Sequence, residues 1–305
     1  MSFDLQGFYR QLDESYAALD RNATEAFLLA SREKAFESQQ PELLRDGCPA
    51  CAPQVAPNGA LIAVCNELAC FYRGLSRWEE SLEAFGQAQE ELEQYYQNDT
   101  VQYATILLNK AGTYRYMNKP QKALELFEQA EKILSQCENV PLGILAGLYN
   151  NTGLALLDLK RPQDALERFQ NALPLISGNA QSIVEQGSTW NNIAAAHRSL
   201  GNFHLAIDAM DRSIAILEKL DCGRNPHYPA ALNTRGICHY QQGCYEAALA
   251  DFTAALEITA LVYGENIEYA YGCDNCSAAC QKMGRLEDAR SWQKKSNTIR
   301  ERLGR

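Results

Sequence analysis

One spacing recurs along this chain of 305 residues and restricts its fold more than any other feature. Six segments share a turn that leads into a small residue, which we call the anchor. Successive anchors are separated by 42, 42, 41, 42 and 41 residues. The anchors are Ser81, Ala123, Ala165, Ala206, Ala248 and Ala289. A period of this length is typical of repeat proteins, in which each repeat is one supersecondary unit that stacks on its neighbours.

The residues around each anchor follow a second pattern, in which small and bulky side chains alternate at fixed distances. Twelve residues before the anchor comes a small residue: Ala69, Ala111, Gly153, Ala194, Gly236 or Ser277. Four residues after it comes a bulky one, except in the last repeat: Phe85, Phe127, Phe169, Met210, Phe252 and then Gln293. Spacings of three and four between apolar residues place them on one face of a helix. The pattern therefore predicts an all-α solenoid of antiparallel helix pairs.

These small and bulky positions, in this order across two helices, resemble the tetratricopeptide repeat family. The resemblance covers residues 58 to about 303, and the long period is similar to the kinesin light chain type. It implies a right-handed superhelical solenoid whose first helices line a concave groove. It also implies protein binding, but no particular partner, because one fold serves many functions.

The chain is predicted to have two parts. Residues 1–57 form an N-terminal helical cap, with helices near 3–18 and 23–37, followed by a loop that contains proline and cysteine. Residues 58–305 form an array of six repeats, at about 58–99, 100–141, 142–182, 183–224, 225–265 and 266–305. Gln293 replaces the bulky residue of the last repeat, as expected where the outer face of a terminal repeat meets water.

Charge and targeting signals narrow the classes of function. The chain has 38 acidic and 28 basic residues, a net charge of −10, which disfavours binding to nucleic acid or to an anionic membrane surface. No apolar run is long enough to span a bilayer, and the first residues do not resemble a secretory signal. Eleven cysteines without an export signal favour reduced thiols. We therefore expect a cytoplasmic protein.

The chemical motifs do not predict catalysis. The sequence has no nucleophile elbow, zinc-protease motif or phosphate-binding glycine loop, so we expect a protein that is not an enzyme and needs no cofactor. Cys273, Cys276 and Cys280 resemble a metal-ligand set, but they fall at core positions of a first helix and are interpreted as buried apolar residues. Cys48 and Cys51 form a C-x-x-C motif in a loop. A redox pair, half of a zinc site and an incidental sequence all remain open for them.

Two histidines fall at a repeat position that is aromatic in the first two repeats. They are His197 and His239, nine residues before their anchors, where Tyr72 and Tyr114 stand in other repeats. This position belongs to the predicted core. We expect a hydrogen-bonded structural role for both histidines.

Asparagines recur on the first helices, although asparagine is a mediocre helix former. We call this set the asparagine ladder. Fourteen residues before an anchor they are Asn109, Asn151, Asn192 and Asn275, and fifteen residues before it they are Asn150, Asn191 and Asn233. An exposed amide offers donors and an acceptor to the backbone of an extended peptide, and the family resemblance implies this role for the first four. The alternative is that these amides bond between neighbouring repeats and hold the superhelix.

Three arginines recur eight residues before the anchor, on the same face as the asparagine ladder. They are Arg73, Arg115 and Arg198. In an acidic protein they could form a positive stripe that binds partner carboxylates through bidentate hydrogen bonds. They could equally pair with internal aspartate or glutamate, and the sequence does not decide between the two.

Together these features predict a non-catalytic scaffold that binds an extended peptide or a partner helix in its groove. The asparagine ladder and the three arginines are the predicted contacts. The alternative is a peptide-responsive regulator, or an accessory subunit of an enzyme complex, that acts through a protein target. In either case the partner is a protein or peptide, not nucleic acid or a membrane. The sequence predicts neither the identity of the partner nor the oligomeric state.

Overall fold

A computed structural model describes residues 3–38, 57–95, 97–178, 182–220 and 227–302 of the chain. These residues form fourteen α-helices and no β-strand. The helices of the first half are α1 (Leu5–Ala17), α2 (Arg21–Glu37), α3 (Gly59–Gly74), α4 (Trp78–Gln94), α5 (Val101–Tyr116), α6 (Pro120–Leu134) and α7 (Leu142–Asp158). Those of the second half are α8 (Pro162–Ile176), α9 (Ile183–Ser199), α10 (Phe203–Leu217), α11 (His227–Gln241), α12 (Tyr245–Tyr263), α13 (Ile267–Lys282) and α14 (Leu286–Arg302). The predicted all-α class is confirmed.

The chain divides into two compact units, which we describe separately. The N-terminal unit is Met1–Ile144 and the C-terminal unit is Leu145–Arg305. Each of the six predicted repeats contains one helix pair, from α3 with α4 to α13 with α14. Within the described ranges, no helix combines the length and the apolar character needed to cross a bilayer.

Each helix pair packs through the small and bulky residues that the period predicts. Phe85, Phe127 and Phe169 are fully buried, and the small residue twelve positions before the anchor lies against the bulky one in two repeats of the C-terminal unit. A Cβ atom added at Gly153 would lie 2.4 Å from Cε1 of Phe169, and one at Gly236 would lie 2.6 Å from Cε1 of Phe252. The two helices of these pairs therefore approach as closely as glycine permits.

A left-handed residue ends the first helix of every repeat, five positions before the anchor. Its φ angle is 60° at Ser76, 58° at Asn118, 61° at Lys160, 76° at Gly201, 82° at Gly243 and 74° at Gly284. In each case the next residue donates its backbone N–H to a carbonyl five residues earlier, at 2.9 Å, as from Arg77 to Tyr72 and from Arg285 to Cys280. This is the Schellman ending of a helix. It reverses the chain in the same way six times.

The N-terminal helix pair is joined to the first repeat by polar contacts of α2. The side-chain nitrogen of Asn58 donates to the carbonyl of Ala35 at 2.7 Å, and Arg77 forms an ion pair with Glu25 at 2.7 Å. Within the pair, Phe8 of α1 stacks on Phe27 of α2 with 5.7 Å between the ring centres. Helices α1 and α2 thus pack on the first helix pair of the N-terminal unit.

Candidate partner-binding face

The predicted site residues all lie on first helices, where they are half-buried. In the N-terminal unit they are Arg73 on α3 and Asn109 and Arg115 on α5. In the C-terminal unit they are Asn150 and Asn151 on α7, Asn191, Asn192 and Arg198 on α9, Asn233 on α11 and Asn275 on α13. We call these residues, taken in each unit separately, the first-helix face. Their hydrogen bonds separate residues that hold repeats together from residues that are open to a partner.

In the N-terminal unit, the ladder asparagine bonds to the neighbouring repeat. The side-chain nitrogen of Asn109 donates to the side-chain oxygen of Asn66 at 2.9 Å. The Nη1 atom of Arg73 donates to the backbone carbonyl of Asn109, also at 2.9 Å. Two contacts therefore join α3 to α5. Here the structure supports the interpretation of the ladder as a link between repeats.

The same kind of link recurs in the C-terminal unit. The side-chain nitrogen of Asn275 donates to the side-chain oxygen of Asn233 at 2.9 Å, and that of Asn150 donates to Oγ1 of Thr189 at 2.9 Å. The side-chain nitrogen of Asn151 instead donates to the carbonyl of Gly147, in its own helix, at 2.9 Å. Asn150, Asn151 and Asn275 thus each use one amide hydrogen internally, and Asn233 uses its side-chain oxygen as an acceptor.

Asn191 and Asn192 differ from the other members of the ladder. Within the part of the chain that the structure describes, neither side-chain amide forms a hydrogen bond. Both residues are half-buried on α9, and neither amide is among the buried side-chain groups that lack a hydrogen-bond partner, so their amide groups reach the surface. Each therefore keeps two donors and one acceptor available for a partner.

The arginines of the face have different surroundings. Arg115 lies with its guanidinium carbon 5.0 Å from the ring centre of Tyr116, and that ring stacks on Trp78 at 6.4 Å. Among the described residues, Arg73 and Arg198 make no ion pair with a carboxylate. The Nε atom of Arg198 is also buried without a hydrogen-bond partner. The structure therefore shows no internal ion pair for these two arginines, although Arg73 is close enough to Glu67 to oppose the rise that burial causes in the pKa of that carboxyl.

The two histidines of the core position differ in their contacts. Nε2 of His239 lies 3.9 Å from a carboxylate oxygen of Asp251. In contrast, Nδ1 of His197 is buried with no hydrogen-bond partner, so the predicted hydrogen-bonded role is wrong for that atom. Burial, with a smaller contribution from the nearby His204, lowers the pKa of His197 below its usual 6.5. The helix pair therefore favours the neutral imidazole.

The cysteines of α13 are core residues, as predicted. Cys273, Cys276 and Cys280 are fully buried, and burial raises the pKa of Cys276 to about 12. Thiols of this kind are unreactive at neutral pH, because the thiolate is the reactive form. Among the described residues, no group of three or more histidine, cysteine, aspartate or glutamate side chains could hold a metal ion. Cys48 and Cys51 lie outside the described residues.

An ion-pair network near the face was missed by reasoning from the sequence. Arg235 on α11 donates from Nε and Nη2 to the two carboxylate oxygens of Asp251 on α12, at 2.9 and 2.6 Å. Its Nη1 atom donates to Asp211 on α10 at 2.6 Å. Arg235 thus connects three helices of two repeats. The carboxylates raise the pKa of Arg235, chiefly through the hydrogen bonds to Asp251.

The chain matches a model of a known family along most of its length. The model is described as Tetratricopeptide repeat and matches residues 60–136, 144–219 and 227–302. A second model with the same description matches residues 192–261. No curated protein matches the sequence.

Solved structures with a similar fold come from different kinds of protein. BtubC (BKLC) from P. vanneervenii is 17% identical, with a TM-score of 0.65, and the match covers 74% of this chain and 92% of that one. A putative kinesin light chain from Podosopora anserina with nearly identical TPR-like repeats is 16% identical, with a TM-score of 0.58, over 68% and 99%. A signal transduction ATPase with a tetratricopeptide repeat sensor, from Pyrococcus horikoshii, is 13% identical, with a TM-score of 0.66, over 79% and 36%. At these identities the likeness concerns the fold.

Proposed function

Because the chain belongs to the tetratricopeptide repeat family, whose fold generally serves protein–protein interaction, we propose that it is a non-catalytic cytoplasmic scaffold. Its first-helix face binds an extended peptide or a helix of a partner protein. The observation that carries this proposal is the pair Asn191 and Asn192, whose amides form no hydrogen bond within the described residues.

The chemistry of this pair matches the backbone of an extended peptide. An extended chain exposes N–H and C=O groups along both of its edges, and a side-chain amide can bond to either kind of group. Half-buried amides without a partner are also partly desolvated before binding, so a peptide that satisfies them recovers hydrogen bonds at a low cost. Asn191 and Asn192 are therefore the main proposed contacts.

Arg198 adds a charge to the same surface. It follows Asn191 by seven residues, which is close to two helical turns, so the two residues lie on the same side of α9 about 10.5 Å apart along the axis. It has no carboxylate partner among the described residues, so an acidic side chain of the peptide would neutralise it. Arg73, which also forms no ion pair with a carboxylate among the described residues, has the same function on the N-terminal unit in this proposal, and Arg115 beside Tyr116 is a further proposed contact there.

The other asparagines of the ladder have a supporting role in this proposal. Asn109, Asn150 and Asn275 bond to neighbouring repeats, and through these bonds they fix the spacing of the first helices. Asn151 and Asn233 contact the peptide through the amide atoms that their internal bonds leave open. In this way the two interpretations of the ladder apply to different members.

Affinity purification from the native host, followed by mass spectrometry, would identify bound proteins. The recovered partner would then be measured by calorimetry against the wild type and a double variant, Asn191→Ala with Asn192→Ala. We expect at least ten-fold weaker binding, since each lost hydrogen bond contributes about 1 kcal/mol, and an almost unchanged thermal midpoint.

The matched control is Asn171→Ala, an exposed asparagine on the second helix α8. It should leave the affinity unchanged. Equal binding by the double variant, or a large loss of stability in it, would contradict the proposal.

A second candidate is a peptide-responsive regulator or an accessory subunit that acts through a protein target. It is supported by the similar fold of the ATPase from Pyrococcus horikoshii, whose repeats are described as a sensor. If the recovered partner is an enzyme whose rate changes when the scaffold is added, this candidate is the better description. A partner whose activity is unaffected favours the plain scaffold.

A further inference from the structure

A cavity of about 430 Å³ lies in the C-terminal unit, between the first helices α11 and α13 and above the second helix α12. Its floor includes Ala255 and Leu256 of α12. Its rim includes Ala230, which is exposed, and Tyr271, which is 50% exposed. Asn233 of the asparagine ladder also lines it, so the cavity opens beside the first-helix face.

One residue that lines the cavity, Gly272, stands at a repeat position seventeen residues before the anchor. In three other repeats this position holds a large buried residue: Val64, Ile106 or Leu148. In the last two repeats it is Ala231 and Gly272. Leu256 leans against Gly272, where an added Cβ would lie 2.6 Å from its Cδ2 atom, and fills only part of the space. The last repeat therefore lacks, at this position, the side-chain volume that fills the core in the first three repeats.

Each uncharged polar side chain named here in the cavity walls already makes one hydrogen bond within the protein. Thr234 and Thr259 donate to carbonyls of their own helices, at 2.9 and 2.8 Å. The side-chain oxygen of Asn266 accepts from the backbone of Tyr269, and that of Asn233 accepts from Asn275. A polar guest would lose its bonds to water and gain few new ones here. The cavity therefore favours an apolar guest.

The charge at the rim further restricts the guest. Glu268, an exposed residue in the first turn of α13, is the charged side chain among the described lining residues. It would repel an acidic residue of a bound peptide and attract a basic one. Arg198, on α9, would instead attract an acidic residue of the bound peptide and repel a basic one.

We propose that this cavity is a specificity subsite for one bulky, uncharged, apolar side chain of the partner peptide, next to a basic residue. The inference rests on the proposed function and deepens it. A volume of about 430 Å³ accommodates the largest apolar side chains. The guest enters between α11 and α13, while Asn233 lies beside the peptide backbone.

The test is selection of dodecapeptides from a random phage-displayed library on four forms of the full chain. They are the wild type, Ala230→Trp, which covers the rim, the control Asn171→Trp, and the double variant Asn191→Ala with Asn192→Ala. Asn171 is exposed on the second helix α8 and lies outside the cavity. We expect the wild type and the control to enrich peptides with one bulky apolar residue beside lysine or arginine, and Ala230→Trp to lose that preference.

A synthetic version of the most enriched peptide then provides a double-mutant cycle. Replacing its apolar residue by alanine should weaken binding to the wild type at least ten-fold and binding to Ala230→Trp less than two-fold. Gly272→Val, which displaces Leu256 into the cavity, is a second variant with the same expectation. Circular dichroism shows whether each variant is folded.

The possible failures are distinguishable. If peptides are enriched but show no apolar preference, or if Ala230→Trp and Gly272→Val keep that preference, the subsite is overturned and the scaffold function stands. If the wild type enriches no peptide, both proposals fail. If binding depends on the apolar residue but not on Asn191 and Asn192, the subsite stands and the proposed backbone contacts fail.

Discussion

Asn275 donates a hydrogen bond of 2.9 Å from its side-chain nitrogen to the side-chain oxygen of Asn233, the residue 42 positions before it. The two residues are one repeat period apart in the sequence, and in the structure they join the first helices α11 and α13. Asn109 and Asn66 form the same contact in the N-terminal unit, 43 residues apart. Amide pairs of this kind fix how far one repeat rotates and shifts against the next.

The first prediction concerns the stability that this amide pair provides. Asn275→Ala removes the donor and leaves the half-buried oxygen of Asn233 without its partner, so we expect a loss of about 1 kcal/mol in the free energy of unfolding. Urea titration followed by circular dichroism measures this change. Asn192→Ala is the matched control, because that amide forms no internal bond among the described residues, and it should change stability by less than half as much. Equal losses would contradict the division of the ladder into two roles.

The second prediction concerns Arg235 and Asp251, whose side chains are 24% and 9% exposed. Asp251→Leu leaves the guanidinium with Asp211 alone, so we expect a loss of about 3 kcal/mol. Adding Arg235→Met should recover part of that loss, because the double variant no longer holds a half-buried charge. Chemical denaturation of the four members of the cycle gives the coupling energy. A double variant as unstable as the sum of the single ones would show that the pair is not coupled.

The third prediction concerns the left-handed turn at Lys160, where φ is 61°. Side chains other than glycine are strained in this conformation, so Lys160→Gly should raise the free energy of unfolding by about 1 kcal/mol. Lys160→Ala is the control, since alanine shares the strain, and it should have little effect. At Gly243, where φ is 82°, replacement by alanine should lower stability by a similar amount. Thermal or chemical unfolding of the three variants provides the comparison.

The fourth prediction concerns pH and His197, whose pKa is lower in the folded chain than the usual 6.5. The unfolded chain then binds more protons than the folded one, so stability decreases as the pH falls through about 6.5. His197→Tyr, which introduces the residue found at this position in the first two repeats, should reduce this dependence. Denaturant midpoints of both proteins between pH 5 and 8 measure it. A dependence that is unchanged in the variant would assign it to other groups.

Much of the fold follows from the sequence because the packing is local and periodic. The spacing of anchors predicts the helix pairs, and the contact of Gly153 with Phe169 shows why small and bulky residues must alternate. Because contacts between neighbouring repeats recur with the same period, one pattern of residues predicts all six helix pairs. For the same reason, burial of Cys273, Cys276 and Cys280 could be predicted from their positions alone.

The details of the site were less predictable, because they depend on the rotation between repeats. The sequence places Asn109 and Asn192 at the same repeat position, yet one bonds to its neighbour and the other does not. Asn66 provides the acceptor for Asn109. The equivalent residue for Asn192 is Asn150, whose side-chain nitrogen donates to Thr189 and whose side-chain oxygen is buried without a hydrogen-bond partner. Arg235 stands outside every recurring position, and its partners come from two different second helices. Only the three-dimensional structure brings them together.

The left-handed turn has a consequence for how such a chain changes through evolution. Successive turn residues are 42 or 41 positions apart, and each has the same backbone hydrogen bond after it. A recombination between two equivalent turns in the gene would add or remove one helix pair without creating a loop of new length. Chains built in this way can therefore grow or shrink by whole pairs. The surface that they offer to partners then increases in equal increments.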